Sequence, residues 1–194
     1  MNKYFIVYKP FNVLSQFSST DKKKTLKDFF DVPSNAYPVG RLDYDSEGLL
    51  ILTDDKKLNH LLLDPHHRHE REYWVQVEGD ISQYAIEKLQ QGVLINVDGK
   101  MIQTKKCKVE KFTSLPPVAA RNPPIRFRKL IPDCWIKIIL TEGKNRQVRK
   151  MTAKVGHPTL RLIRYRIENL TLSKLHPGEM KSISQRELYN LLEI

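Results

Sequence analysis

The chain has little cysteine: two residues in 194, Cys107 and Cys134, without the CxxC spacing of a zinc or redox motif. A disulfide scaffold is excluded, and free thiols in a reducing cytoplasm are the simplest reading. Long hydrophobic runs are also lacking, since no apolar stretch approaches the ~18 residues of a membrane span. The opening "MNKYFIVYKP" has too short an apolar core for a secretory signal and no small-residue cleavage site. Internal repeats and low-complexity tracts are missing, which excludes repeat architectures and linker-like chains. Negative charge is scarce as well: 22 Asp and Glu stand against 33 Lys and Arg, a formal net charge of +11.

What is present is an ordinary globular composition, 40% hydrophobic and 28% charged. The length allows one sizeable core or two closely joined subdomains. The basic excess points to a polyanionic partner, with nucleic acid foremost. A membrane surface fits less well, because no long amphipathic Trp/Leu/Lys helix accompanies the charge.

Periodicity predicts strands at 3–9, in "VLSQF" after the Pro10–Asn12 turn, at 48–53, 71–79 and 134–143, and an extended segment following Pro158. It predicts helices at 25–30 with Thr25 as cap, at 54–64, at 82–92 between Ser82 and Gly92, at 144–156, and finally from the Ser184–Glu187 capping box. A hairpin turns at Asp98-Gly99, and the prolines of 113–124 mark an irregular loop. Strands outnumber helices and are often hairpin-linked. The expected class is therefore α+β, with a largely antiparallel or mixed central sheet flanked by helices.

Acids cluster in "GRLDYDSEGLLILTDD", residues 40–55. Asp43, Asp45, Glu47 and Gly48 match the first half of a calcium loop, with Asp54 at its twelfth position. The context is wrong, because Pro38 and Gly40 precede it and a strand-like run follows. Asp45 and Glu47 are also accounted for by a polar turn ahead of a buried strand. A third reading makes Asp43 a catalytic carboxylate on a loop, following a Leu42 that would pack inward and an Arg41 that could project outward.

A second cluster is "EGKNRQVRKMTAKVG". On a wheel at ~100° per residue, Val148, Met151, Thr152 and Val155 share one side, and Arg146, Lys150 and Lys154 lie opposite. That face is either solvated or a phosphate contact. Arg149 falls at the boundary, where its stem can be buried and its guanidinium aimed into a pocket.

Taken together, "GRLDYDSEGLLILTDD", "REYWVQVEG" and "EGKNRQVRKMTAKVGHPTLRLIR", with the opening "YKPFNVLSQF", resemble the motifs of bacterial ribosomal RNA pseudouridine synthases of the RsuA type. "RNPPIRFRKLIPDCWIKIIL" resembles the RluE branch, which acts on large-subunit (23S) rRNA. The resemblance implies the pseudouridine synthase catalytic fold over 1–194 without the S4 RNA-binding domain. It would comprise one domain, divisible at about 1–65 and 66–180 into subdomains sharing a sheet, with a C-terminal helix at 184–194. It implies Asp43 as the catalytic aspartate, Tyr73 as the active-site tyrosine and Arg149 as the arginine that pairs with the aspartate. Arg71 stands where a Lys is common. Arg41 would enter the RNA helix as the uridine leaves it, and Leu160 or Leu162 would form the apolar floor under the base.

The implied reaction converts uridine to pseudouridine after base flipping. It requires no cofactor and no metal, and a cytoplasmic monomer acting on rRNA, away from any membrane, is expected. A non-catalytic ribosome-assembly factor of the same fold, or a synthase acting on 16S rRNA or tRNA, remain the alternatives. His66, His67 and His69 read as a basic surface loop, His157 as structural, and Trp74 and Trp135 as packing. EDTA is accordingly expected to leave turnover intact. Activity lost to the chelator and restored by a stoichiometric divalent ion would revive the calcium-loop reading.

Overall fold

The computed structural model describes residues 2–125, 131–172 and 174–194; residues 126–130, within the stretch that resembles the RluE branch, lie outside the described residues. In chain order the elements are β1 (Tyr4–Lys9), a 3-10 turn (Leu26–Asp28), β2 (Tyr37–Pro38), β3 (Glu47–Thr53), α1 (Lys56–Leu63), β4 (Arg71–Glu78), α2 (Gln83–Gln91), β5 (Leu94–Val97), β6 (Lys100–Gln103), β7 (Lys108–Lys111), β8 (Asp133–Leu140), α3 (Gln147–Lys154), β9 (Thr159–Ile167), β10 (Leu170–Thr171), β11 (Met180–Ser182) and α4 (Gln185–Leu192). The class is α+β with mixed pairing, as the sequence implied. The chain forms two compact units, residues 1–69 with 163–194 and residues 70–162.

In the first unit β1 runs antiparallel to β3, from Tyr4 opposite Thr53 to Lys9 opposite Gly48. β11 pairs with the other side of β1, and β2 with the end of β3. Every residue of β3 is buried, which suits its unbroken apolar run, since a strand covered on both faces has no reason to alternate. β3 meets β9 in parallel through Glu47–Ile163 and Gly48–Arg164. Gly48 has φ +112°, and a Cβ there would stand 2.3 Å from the Arg164 carbonyl oxygen, so a side chain would push the strands apart. Val7, Leu50 and Leu52 pack with Val13, Leu26 and Phe30 as the local core.

One carboxylate joins three elements of this unit. Asp55 caps α1, its Oδ1 accepting from the N–H groups of Lys57 at 2.9 Å and Leu58 at 3.3 Å. Its Oδ2 accepts from the hydroxyls of Tyr4 on β1 and Tyr189 on α4, each at 2.7 Å. The Ser184 hydroxyl in turn caps α4 by accepting from the Glu187 N–H at 3.2 Å.

In the second unit β4 and β8 form an antiparallel ladder from Arg71–Leu140 to Glu78–Asp133, and β7 extends it beyond β8. β5 and β6 make a separate ribbon. Asp98 and Gly99 both have positive φ, 52° and 84°, the geometry that a two-residue hairpin needs to follow strand twist. Val75, Val77, Ile136, Ile138, Leu89 and Met151 lie at the centre of the core.

Local expectations differ from the structure in three places, the first being the helix expected at 25–30, which is only the 3-10 turn Leu26–Asp28 after Thr25. "VLSQF" is not a strand; it makes one isolated bridge, Leu14 to Thr25, its backbone bonds there being Leu14 N–H to the Lys24 carbonyl and Leu26 N–H to the Gln16 carbonyl, both at 2.9 Å. The helix expected from 144 begins at Gln147, with Arg146 as a left-handed N-cap at φ 54°.

Burial pushes the Asp55 pKa up, but the bonds from Tyr4, Tyr189, Leu58 and Lys57 prevail and hold it below the ordinary carboxylate value. Its stabilisation is therefore complete above the ordinary carboxylate range and lost as pH falls through the lowered folded-state value. Asp55→Ala is expected to destabilise the fold by about 2–4 kcal/mol at neutral pH, through a lost cap and two stranded hydroxyls. Denaturant titration checks this, and the gap from wild type should narrow in strong acid; a gap that does not narrow would contradict the linkage.

Candidate active site

The acidic loop of the first unit lies between two fixed strands. Val39 N–H donates to the Ile51 carbonyl at 2.8 Å, and β3 begins at Glu47. Leu42 is buried, Arg41 exposed and Asp43 half-buried. The Ser46 N–H closes a turn onto the Asp43 carbonyl at 3.0 Å. Since Glu47 to Thr53 is strand, rising about 3.3 Å per residue, Asp54 stands roughly 20 Å from Glu47. The two cannot share an ion, which removes the calcium-loop reading on geometric grounds.

Two residues of this loop's surroundings escaped the sequence reading. Ser15 is buried, and its hydroxyl donates to the Leu42 carbonyl at 2.8 Å while accepting the Leu42 N–H at 3.0 Å. Lys9 is 0% exposed, its ammonium donating to the carbonyls of Val13 at 2.7 Å and Pro10 at 2.9 Å. Burial lowers the Lys9 pKa to about 7, against the opposing pull of Glu47, Asp45 and Asp43, with Arg164 adding to the lowering. A lysine ending an apolar strand, opposite a buried Glu-Gly pair, was the available signal.

In the second unit Tyr73 lies on β4, half-buried and packed against the Val75–Val77 side of the core. Arg149, on α3, is half-buried and donates through Nη1 to the Thr159 carbonyl at 3.4 Å. The Arg149 carbonyl accepts from the Thr152 hydroxyl at 3.2 Å, and that hydroxyl is 2.8 Å from the hydroxyl of Thr159. Leu162 is buried in the core of this unit, whereas Leu160 is half-buried.

Val148, Met151 and Thr152 are buried on α3, in keeping with the wheel, together with Gln147, whose side chain donates to Glu142 at 2.7 Å. The opposite face is changed from the expectation. Arg146 precedes the helix and so does not continue the Lys150–Lys154 row; Arg146 and Lys154 are exposed and Lys150 is half-buried.

Among the weaker candidates, His66 is exposed, but His69 is buried with Nδ1 3.2 Å from Glu168, so the histidines are not all on a surface loop. Trp74 packs edge-on against Phe112, as a core residue does. Burial, and then Glu142, pushes the Cys107 thiol up to about 11, which suits an inert thiol.

A half-buried carboxylate on a clamped loop, in a strongly basic chain that also presents an aromatic hydroxyl and a helix-borne guanidinium, is the equipment of an enzyme acting on nucleic acid. The chain belongs to the RNA pseudouridylate synthase family, whose model matches residues 3–154, and is an RNA pseudouridine synthase. It is 49% identical over 178 residues to a "Ribosomal large subunit pseudouridine synthase E" of Xanthomonas campestris pv. campestris, covering 91% of this chain and 92% of that one. It is 46% identical over 181 residues to the like-named protein of Vibrio parahaemolyticus, covering 93% and 74%. A crystal structure of a pseudouridylate synthase superposes with a TM-score of 0.79 at 27% identity, over 98% of this chain and 74% of that chain.

If Arg146, Lys150 and Lys154 meet phosphates, replacing all three with Ala should weaken RNA binding and flatten its log–log salt dependence by about 0.7–0.9 per lost contact. An unchanged slope would remove these residues from the interface.

Proposed function

We propose that this enzyme converts one uridine of large-subunit 23S ribosomal RNA to pseudouridine, with Asp43 as the reacting carboxylate. The target is supported by the printed names of its relatives, and the chemistry by one observation above others: Asp43 sits on a loop whose backbone is pinned on both sides of it. Such fixing is what a group needs when it must meet a sugar carbon in one geometry.

In the reaction the N1–C1′ bond breaks, the uracil turns, and C5 bonds to C1′. The proton on C5 then leaves and N1 gains one, so atoms balance without redox change. Asp43 acts ionised, at C1′ or on a sugar proton. Tyr73 stacks on the uracil and offers its hydroxyl near C5. Arg149 is the arginine that pairs with the reacting aspartate and orients it. Leu160, having exposed surface where Leu162 has little, serves as the apolar floor. Arg41, exposed beside Asp43, takes the space that the flipped uridine vacates, and Arg146, Lys150 and Lys154 bind backbone phosphate. The protein works as a monomer in the cytoplasm, and its net charge of +11 suits a polyanionic substrate.

Asp43→Asn is expected to abolish tritium release from C5-labelled uridine in rRNA while folding and RNA binding persist. Asp45→Asn, with the same change of charge in the same loop, should retain substantial turnover. Near-wild-type release by Asp43→Asn, or loss confined to Asp45→Asn, would displace Asp43. Pseudouridine mapping in a deletion strain and its complemented partner tests the target. Loss of one large-subunit site is expected; a lost 16S or tRNA site would redirect the assignment, and no lost site would favour a binding factor.

A further inference from the structure

We propose that Ser15 and Lys9 are positioning residues for the reaction, holding the Asp43 loop from the strand and turn that precede it in the chain; this rests on the reading of Asp43 above. Ser15 contributes both halves of a reciprocal pair, donating to the Leu42 carbonyl and accepting the Leu42 N–H. Two bonds to one residue fix its backbone in rotation as well as in place, and Leu42 is the residue immediately before Asp43. On the other side, Ser46 closes the turn onto the Asp43 carbonyl.

Lys9 braces the turn that leads to Ser15, beside the start of β3. It ends β1 opposite Gly48, with no exposed surface, and two of its hydrogens are committed to Val13 and Pro10. The acidic groups acting on it are Glu47, which is itself 1% exposed, then Asp45 and Asp43; Arg164 is the cation facing it. The carbonyl bonds hold the 10–13 turn that leads to Ser15, and the strand register sets Lys9 opposite Gly48, beside the end of the acidic loop at Glu47. The turn from which Ser15 reaches Leu42 is thereby fixed through one buried ammonium group.

A purely architectural role explains less. β1 is already locked to β3 along its whole length and to β11 on its other side, so sheet formation does not need the Ser15–Leu42 pair. What that pair adds is definition of the backbone beside Asp43. Displacement of a reacting group by about 1 Å is enough to lower a rate by about 100-fold.

The test is single-turnover tritium release with a parallel RNA-binding measurement and thermal melt. Ser15→Ala is expected to lower the chemical rate by about 10–100-fold while RNA affinity stays within about twofold and the protein remains folded. Lys9→Met also alters the charge around the buried Glu47, so the informative variant is Lys9→Met/Glu47→Gln, read against Glu47→Gln alone. The double variant should react more slowly than the single one at similar RNA affinity. A wild-type chemical rate in Ser15→Ala, or a rate loss matched by lost RNA affinity, overturns the role of Ser15. Equal rates in the double variant and Glu47→Gln overturn that of Lys9. Asp43→Asn, run alongside, separates the layers: if it is inactive while Ser15→Ala is normal, only the positioning inference falls, and if it is active the reading of Asp43 falls first.

Discussion

The first unit depends on the place where β3 and β9 meet. Its residues come from two stretches of chain, 1–69 and 163–194, and the parallel pairing of Glu47–Gly48 with Ile163–Arg164 brings them together. Parallel strands so far apart in sequence carry a large loop-closure cost, which close and well-bonded contact must offset. Gly48 makes that contact possible, since any Cβ would collide with the Arg164 backbone. The Arg164 side chain adds to it, its Nε donating to the Leu49 carbonyl at 2.8 Å. The acidic loop runs directly into this junction, so the position of Asp43 inherits its rigidity.

Charge within the first unit is arranged around the same junction. A basic chain has placed three acids within five residues, and it has buried a lysine and an arginine near them. Asp43, half-buried, keeps access to solvent, while Glu47 is enclosed at the start of β3. Neighbouring carboxylates with such different exposure have different uses. The enclosed one is shielded from any substrate, whereas the accessible one is the proposed reacting group. Asp55 shows the architectural use at a second place, capping a helix while accepting two tyrosine hydroxyls.

The elements that were legible in the sequence are those whose local signals and tertiary surroundings agree. The apolar run 48–53 is a buried strand, Ser82 caps α2 and Gly92 ends it, and Asp98-Gly99 turns a hairpin. "VLSQF" misled because β-propensity describes a fit to a pleated surface, and here no strand ladder accommodates it. The start of α3 misled because the apolar stripe extends no earlier than Val148, and the residues before Gln147 are held by loop bonds such as Lys144 N–H to Gln147 Oε1.

By itself, the sequence determined the α+β class and the basic character, which follow from periodicity and composition, and it carried motifs that resemble those of pseudouridine synthases. It also singled out Asp43, Tyr73 and Arg149 by their motif positions. Only the tertiary structure decided that Asp54 is a strand's length from Glu47, that Leu162 rather than Leu160 is buried in the core, and that Ser15 and Lys9 attend the Asp43 loop. The reason is one of distance along the chain. Spacing reports which residues share a strand or helix face. A hydroxyl that bonds a backbone 27 residues away has no local pattern to betray it, and a lysine at the end of an apolar strand shows only that it is unusual, not what encloses it.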